Sequence, residues 1–441
     1  MSKDHRWLSS EIDRWVADGL ITADQGGRIR SRYAPATGPA ETLSWGLIVF
    51  FALGAIIAGL GVILLLAYNW SGLPKAGKLA LILGATGAAH GFGLWLHERA
   101  DWRRVLGEGS LVLGTMLFGA GIWLVAQVYN IDEHFPTGFF VWGLGALALA
   151  WAVPSVAQAI VATLAIAIWG TLEVVEFGQA VDWATVILVA GLGTLAWRLR
   201  SAVLAGVLAA ACYVQVLAHA THWGGAGSAV ASAVALSTGL LALGEWGRDR
   251  VDVHRIATVL RAYGLGGFLL CGYLLSFADA AEDILRDSLR YPGSAAAAAA
   301  YRWSLFGLAV GAWVPVFLRT IARADLWRAV ELAFYPLGLI SLMAARVLES
   351  GALVAIVFNL VLLGVSGLAI VRGCREGRIR TIVLGSTVLG LLVFGRYFDL
   401  FDSLAARGLA FVLFGAALFA EGFYYRKLRQ PANGGAREVS S

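Results

Sequence analysis

The sequence predicts an all-α fold, a polytopic bundle of about 14 transmembrane helices preceded by a small N-terminal helical hairpin. Three observations carry this. The 441 residues are 59% hydrophobic and 14% charged, with mean hydropathy +0.73, against about 45–50% apolar and about 25% charged in soluble domains. The apolar residues fall in runs close to the roughly 20 helical residues that cross about 30 Å of hydrocarbon. Those runs are continuously apolar rather than alternating, which excludes a β-barrel. This composition excludes a soluble enzyme, a nucleic-acid binder and a disordered scaffold. The 54 glycines and 17 tryptophans suit closely packed membrane helices with aromatic belts at the interfaces.

Residues 1–42 are polar, with no short apolar core before a small-residue cleavage site, so no signal peptide is expected. From Trp7 to Asp18 an amphipathic helix presents Trp7, Leu8, Ile12, Trp15 and Val16, and Gly19 ends it. Thr22 and Gln25 form a capping box for a second helix running to about Tyr33. A linker with Pro35, Gly38 and Pro39 follows. The transmembrane domain is placed at 43–425 and a tail at 426–441. The spans are expected at 43–67, 78–97, 105–129, 135–153, 155–174, 182–197, 201–219, 226–245, 261–278, 303–321, 327–346, 351–371, 379–397 and 405–424. Between the ninth and tenth, residues 279–300 read as an interfacial helix and loop, with Ala280, Ala281, Ile284, Leu285 and Leu289 at helical spacing.

The basic residues test this arrangement. With fourteen spans, 26 of the 34 lysines and arginines fall on the side of the N-terminus and 8 on the other. Basic residues are retained on the cytoplasmic face, so a bacterial inner-membrane protein with both termini in the cytoplasm is expected. The isoelectric point near 9.2 follows from the same bias. Cys212, Cys271 and Cys374 match no metal or redox spacing; the first two read as small core residues and Cys374 as a thiol in a basic loop.

Ionisable groups deep in a span mark function by default because their burial is costly. Here mid-depth holds chiefly His90 and Asn359, with Gln127 and Gln215 nearer outer ends. Interhelical hydrogen bonding is the plain account of these, and substrate contact the alternative. The densest outer cluster is Arg396, Asp399, Asp402 and Arg407, which reads as an ion-paired hairpin or as a polar vestibule to which Arg346 and Glu349 contribute. The candidate substrate-binding set is therefore His90, Asn359, Arg346, Arg396, Asp399 and Asp402. His219 and His222 are a weak candidate metal pair, with Asp132, Glu133 and His134 on the same side. No phosphate loop, nucleophile elbow or HExxH pattern is present, so neither an enzyme nor a cofactor is expected.

Three stretches also carry a family resemblance. They are Trp15 with Gly19-Leu-Ile-Thr22; Gly61-Val-Ile-Leu-Leu-Leu-Ala-Tyr-Asn-Trp70 followed by Lys78; and Phe118-Gly-Ala-Gly-Ile-Trp-Leu-Val-Ala-Gln-Val-Tyr129. In these the chain resembles the prokaryotic membrane-protein family known as domain of unknown function 2157, over roughly residues 10–155. The hairpin from Arg396-Tyr-Phe-Asp399 through Arg407 is similar to one in related multi-span proteins. The resemblance implies location and topology, and no activity. Function is expected to be transporter- or flippase-like, for a small or lipid-linked solute. The alternative is a non-transporting envelope sensor or assembly scaffold that recruits a protein partner through residues 1–42. Membrane lipids are the expected partners, and nucleic acid is not.

Overall fold

The computed structural model describes residues 11–33, 72–99, 102–131, 134–179, 182–290, 295–396, 412–413, 415–416, 419–420 and 422. Every regular element among them is helical. The expected spans at 43–67 and 405–424 lie outside the described residues or nearly so, as do Asp132, Glu133, Asp399, Asp402, Arg407 and the side chain of Arg396. The chain forms two compact units, 1–74 and 75–441.

In the first unit residues 11–17 form α1 and Ala23–Tyr33 form α2. Thr22 and Gln25 cap α2 reciprocally: Gln25 N–H donates to Thr22 Oγ1 at 3.2 Å, and Thr22 N–H to Gln25 Oε1 at 2.9 Å. Ile12 is 1% exposed, and Arg30 pairs with Asp13 across the two helices.

The second unit runs through α3 (Lys75–His97), α4 (Trp102–Tyr129), α5 (Pro136–Ala152), α6 (Val156–Val175) and α7 (Trp183–Arg198). It continues with α8 (Ala202–Gly247), α9 (His254–Leu275), α10 (Ala278–Arg290), α11 (Ala295–Ala322), α12 (Leu326–Leu348), α13 (Gly351–Glu376) and α14 (Ile379–Arg396). Among the described residues eight helices are long and apolar enough to cross a membrane, and α5, α7 and α14 are shorter apolar helices. The helical membrane bundle is as expected, whereas the described residues give eight such helices rather than about 14, because hydropathy runs register short helices as readily as long ones. Helix α7 is shortened further by a π-helical turn, Ile187–Gly193, which adds residues without adding length.

Helix α8 is 46 residues long, yet it is not straight. Gly224 and Gly225 leave helical geometry, with Gly225 at φ 66° and ψ −166°, a region essentially reserved for glycine. Tyr213 Oη lies 2.8 Å from Ser237 Oγ, and Arg200 pairs with Asp252 at 3.3 Å. Residues 213 and 237 on one straight helix would sit about 36 Å apart at 1.5 Å per residue. The chain therefore reverses at Gly224–Gly225, and α8 is a pair of antiparallel arms, in keeping with the separate spans expected at 201–219 and 226–245.

Each arm belongs to its own core. Leu204 and Ala211 of the first arm pack with Ile166, Leu188, Leu192 and Leu195 from α6 and α7. Val234, Ala235 and Leu241 of the second pack with Phe268, Trp313, Leu339 and Phe358 from α9, α11, α12 and α13. At Gly264 a Cβ would lie 2.6 Å from both Leu241 N and Ser237 O, so glycine sets the close approach of α9 to the second arm. Helix α10 is the segment expected at the interface. On its apolar face Ala281 and Ile284 belong to this second core, and Leu285 is buried beside them. Cys374 lies in the last turn of α13 at 5% exposure rather than in a loop.

Candidate functional site

The residues singled out in the sequence form separate structural contacts. His90 Nδ1–H donates to the Thr86 carbonyl at 3.0 Å, and Nε2 lies 3.4 Å from Thr115 Oγ1. Thr115 donates in turn to Gln158 Oε1 at 2.9 Å. The chain of contacts ties α3, α4 and α6 together. Asn359 Nδ2 donates to the carbonyls of Ser276 (2.8 Å) and Ala355 (2.7 Å), joining α13 to the end of α9. Arg346 lines a cavity of about 50 Å³ with Leu275, Leu285, Trp303, Phe306 and Met343. His219 Nδ1–H donates to the Gln215 carbonyl at 2.8 Å, and its ring packs against Trp223 and Tyr301. His134 Nε2 is 2.8 Å from Glu173 Oε2, and His222 is exposed. Among the described residues no group of three or more His, Cys, Asp and Glu is placed to hold a metal.

Charge gathers at the opposite end, where short connections bring α8 to α9, α11 to α12 and α13 to α14. Glu245, in the last turn of α8, is the hub. Its side chain is 7% exposed, lies 2.6 Å from Arg261 Nε, and receives the guanidinium of Arg328, with Arg248 at 3.9 Å. Asp249 takes Arg319 at 3.0 Å and Arg323. Glu331 accepts both bonds of Arg372 Nη1, at 2.9 and 3.1 Å. Glu376 takes Arg372 Nε at 2.8 Å and Arg378 at 3.1 Å. Asp325 caps α12 by accepting from Arg328 N–H at 3.0 Å.

These groups enclose space. A cavity of about 340 Å³ lies between the ends of α8, α11, α12 and α13, walled by Arg248, Arg319, Arg323, Arg328 and Arg372. A second, of about 330 Å³, shares Glu245, Arg248, Leu332 and Arg372 with it, and its walls include Leu269, Tyr335, Ser366 and Val388. Tyr335 is nine residues into α12, and Ser366 ten residues before the end of α13. At 1.5 Å per residue that depth is about 14–15 Å, half of a hydrocarbon layer about 30 Å thick.

Together the two cavities are lined by seven arginines and five carboxylates, a surplus of two positive charges. Arg248 lies among these charges in both cavities. Burial, and then repulsion from Arg328, lowers its pKa below the usual guanidinium value, with only part returned by Glu245. Asp249 is held below the usual carboxylate range by the hydrogen bond from Arg323 and the charge of Arg319. The arrangement provides water-accessible volume, fixed donors and net positive potential part-way into the bundle. Sequence reading missed it because its arginines had been used as a topology signal. The available clue was the clustering of Glu245, Glu331 and Glu376 among them, at equivalent ends of their helices.

The fold and site therefore define a polytopic helical membrane protein with a cationic cavity at one end. Residues 13–159 match the family described as "Predicted membrane protein (DUF2157)". The matched stretch contains the His90–Thr115–Gln158 contacts and none of the cavity. No curated protein and no solved structure matches the chain.

Proposed function

We propose that this chain is a transporter- or flippase-like protein of the bacterial inner membrane, admitting a small or lipid-linked solute through the arginine-rich end. In this reading both termini and that end face the cytoplasm, as the 26:8 division of basic residues favours. The bundle crosses the membrane about 14 times, counting the two arms of α8, the short helices and the segments 43–67 and 405–424. The observation that carries the reading is the cavity leading from Arg248 and Arg372 to Tyr335 and Ser366. Transporter sites lie near the midplane, where irregular or broken helices line water-filled space.

The test places a cysteine at Ser366 after Cys212, Cys271 and Cys374 have been replaced by alanine. A membrane-impermeant maleimide should label Ser366→Cys from the arginine-rich face, and more slowly from the opposite face as the protein alternates. A cysteine inert from both sides sinks the reading.

The pairing of His90 and Asn359 into interhelical hydrogen bonds favours a second reading, a non-transporting sensor or scaffold that recruits a partner through residues 1–42. Labelling from the arginine-rich face alone supports it. Deleting residues 1–40 would then abolish partner recruitment, whereas a transporter lacking them keeps its two-sided labelling.

A further inference from the structure

We infer that the cavity binds a phosphoryl group, and that Arg248 is its principal unsatisfied cation. The inference rests on reading the cavity as a ligand site and names the chemistry of what enters it. Arg248 lines both compartments, so any ligand passing from one to the other meets it. Its ion pair with Glu245 is 3.9 Å long, and that carboxylate also faces Arg261 at 2.6 Å and Arg328. A carboxylate carries one negative charge, and here three guanidiniums converge on it. The third has charge and donors to spare.

The ligand's charge and shape follow from the walls. A surplus of two positive charges matches a dianion. A phosphoryl group carries about −1.5 to −2 charges near neutral pH and three strong acceptor oxygens. A carboxylate ligand would be satisfied by a single bidentate fork and would leave half the surplus. Guanidiniums match phosphate geometry bidentately. Arg319 and Arg323, which share Asp249 on the outer wall, stand ready to add contacts. The outer compartment of about 340 Å³ holds about ten waters at roughly 30 Å³ each, ample for a phosphoryl group and part of what bears it.

Phosphoryl chemistry reaches such a site either as free phosphate or as a lipid headgroup. The experiment uses the purified full chain in neutral detergent and follows its thermal unfolding midpoint. One arm adds inorganic phosphate against chloride and acetate at matched ionic strength; the other adds phosphatidic acid against phosphatidylcholine. A midpoint raised by phosphate identifies a soluble ligand, and one raised by phosphatidic acid alone a headgroup; either supports the inference.

Arg248→Gln should weaken the response at least tenfold, the order expected for one charge-assisted contact. Arg255→Gln, an exposed cation on the neighbouring turn, should leave it unchanged. If the glutamine variant does not fold, Arg248→Lys serves, since it keeps the charge and loses the fork. No response in either arm overturns the inference, as does an equal response to chloride or acetate, or equal losses in the Arg248 and Arg255 variants. The labelling of Ser366→Cys is independent of these outcomes, so failure of the phosphoryl assignment and failure of the transport reading are told apart.

Discussion

Replacing Glu245 with glutamine removes one negative charge from the centre of the cationic end and leaves the shape of the side chain intact. Glu245 is 7% exposed, Arg328 17%, Arg248 27% and Arg261 36%. Breaking a buried ion pair by removing one partner costs about 3–5 kcal/mol, because the remaining charge is left uncompensated. Arg328 approaches that limit. Arg261 and Arg248 do not: their side chains are more exposed than that of Arg328, and exposed pairs contribute about 0.2–1 kcal/mol. The expected loss is therefore about 3 kcal/mol, at the lower end of the buried range.

Denaturant titration of the full chain in bicelles would measure that loss. The double variant Glu245→Gln, Arg328→Gln should recover part of it, since the stranded guanidinium is gone, with a coupling of about 1–3 kcal/mol between the two sites. A single-variant loss within the roughly 0.5 kcal/mol typical of surface substitutions would refute the view of Glu245 as hub.

Three further outcomes follow from the same structure. Gly225→Ala should destabilise by about 1–3 kcal/mol in the same titration, the cost of forcing a side chain into a region nearly exclusive to glycine; indifference would mean that α8 does not reverse there. Asn359→Leu should cost about 1 kcal/mol, within the range measured for interhelical hydrogen bonds in membranes, and a gain in stability would show that Ser276 and Ala355 are satisfied without it. Asp249 has a depressed folded pKa, so its stabilising contribution is complete above the unfolded value of about 3.9 and is lost as pH falls through the lower folded value. The stability gap between the wild type and Asp249→Asn should be flat near neutrality and shrink below about pH 4; a gap that widens in acid would contradict the pairing with Arg319 and Arg323.

Much of the architecture was legible because hydrophobic runs report helices directly. The capping box at Thr22 and Gln25 is a local pattern with a local partner, and it forms as written. The spans at 201–219 and 226–245 were separable because glycines punctuate the run between them. Other features depend on three-dimensional neighbours. Residues 279–290 have the amphipathic pattern of an interfacial helix, and no pattern tells whether lipid or protein fills the apolar side. Here Ala281 and Ile284 belong to the same core cluster as Val354. Cys374 looked like a loop thiol because Arg372, Arg375 and Arg378 surround it in sequence, whereas α13 continues past it to Glu376.

The cavity was hidden for a sharper reason. Arginines at the helix ends of a membrane protein have two explanations that share one sequence signature: retention by the membrane insertion rule, and recruitment to a site. Burial and partners separate them. Arg255 and Arg380 are exposed at the same end of the bundle and suit the first role. Arg328 and Arg372 have side chains 17% and 23% exposed and are fixed by carboxylates on neighbouring helices, an arrangement orientation alone does not require. Evenly distributed acids would neutralise such a cluster. Here they are placed to hold the arginines apart and in position while leaving a surplus of two charges around open volume. Neutralising Arg255 or Arg380 should therefore change neither stability nor ligand response, while changes at Glu245, Arg248 or Arg328 alter one or both.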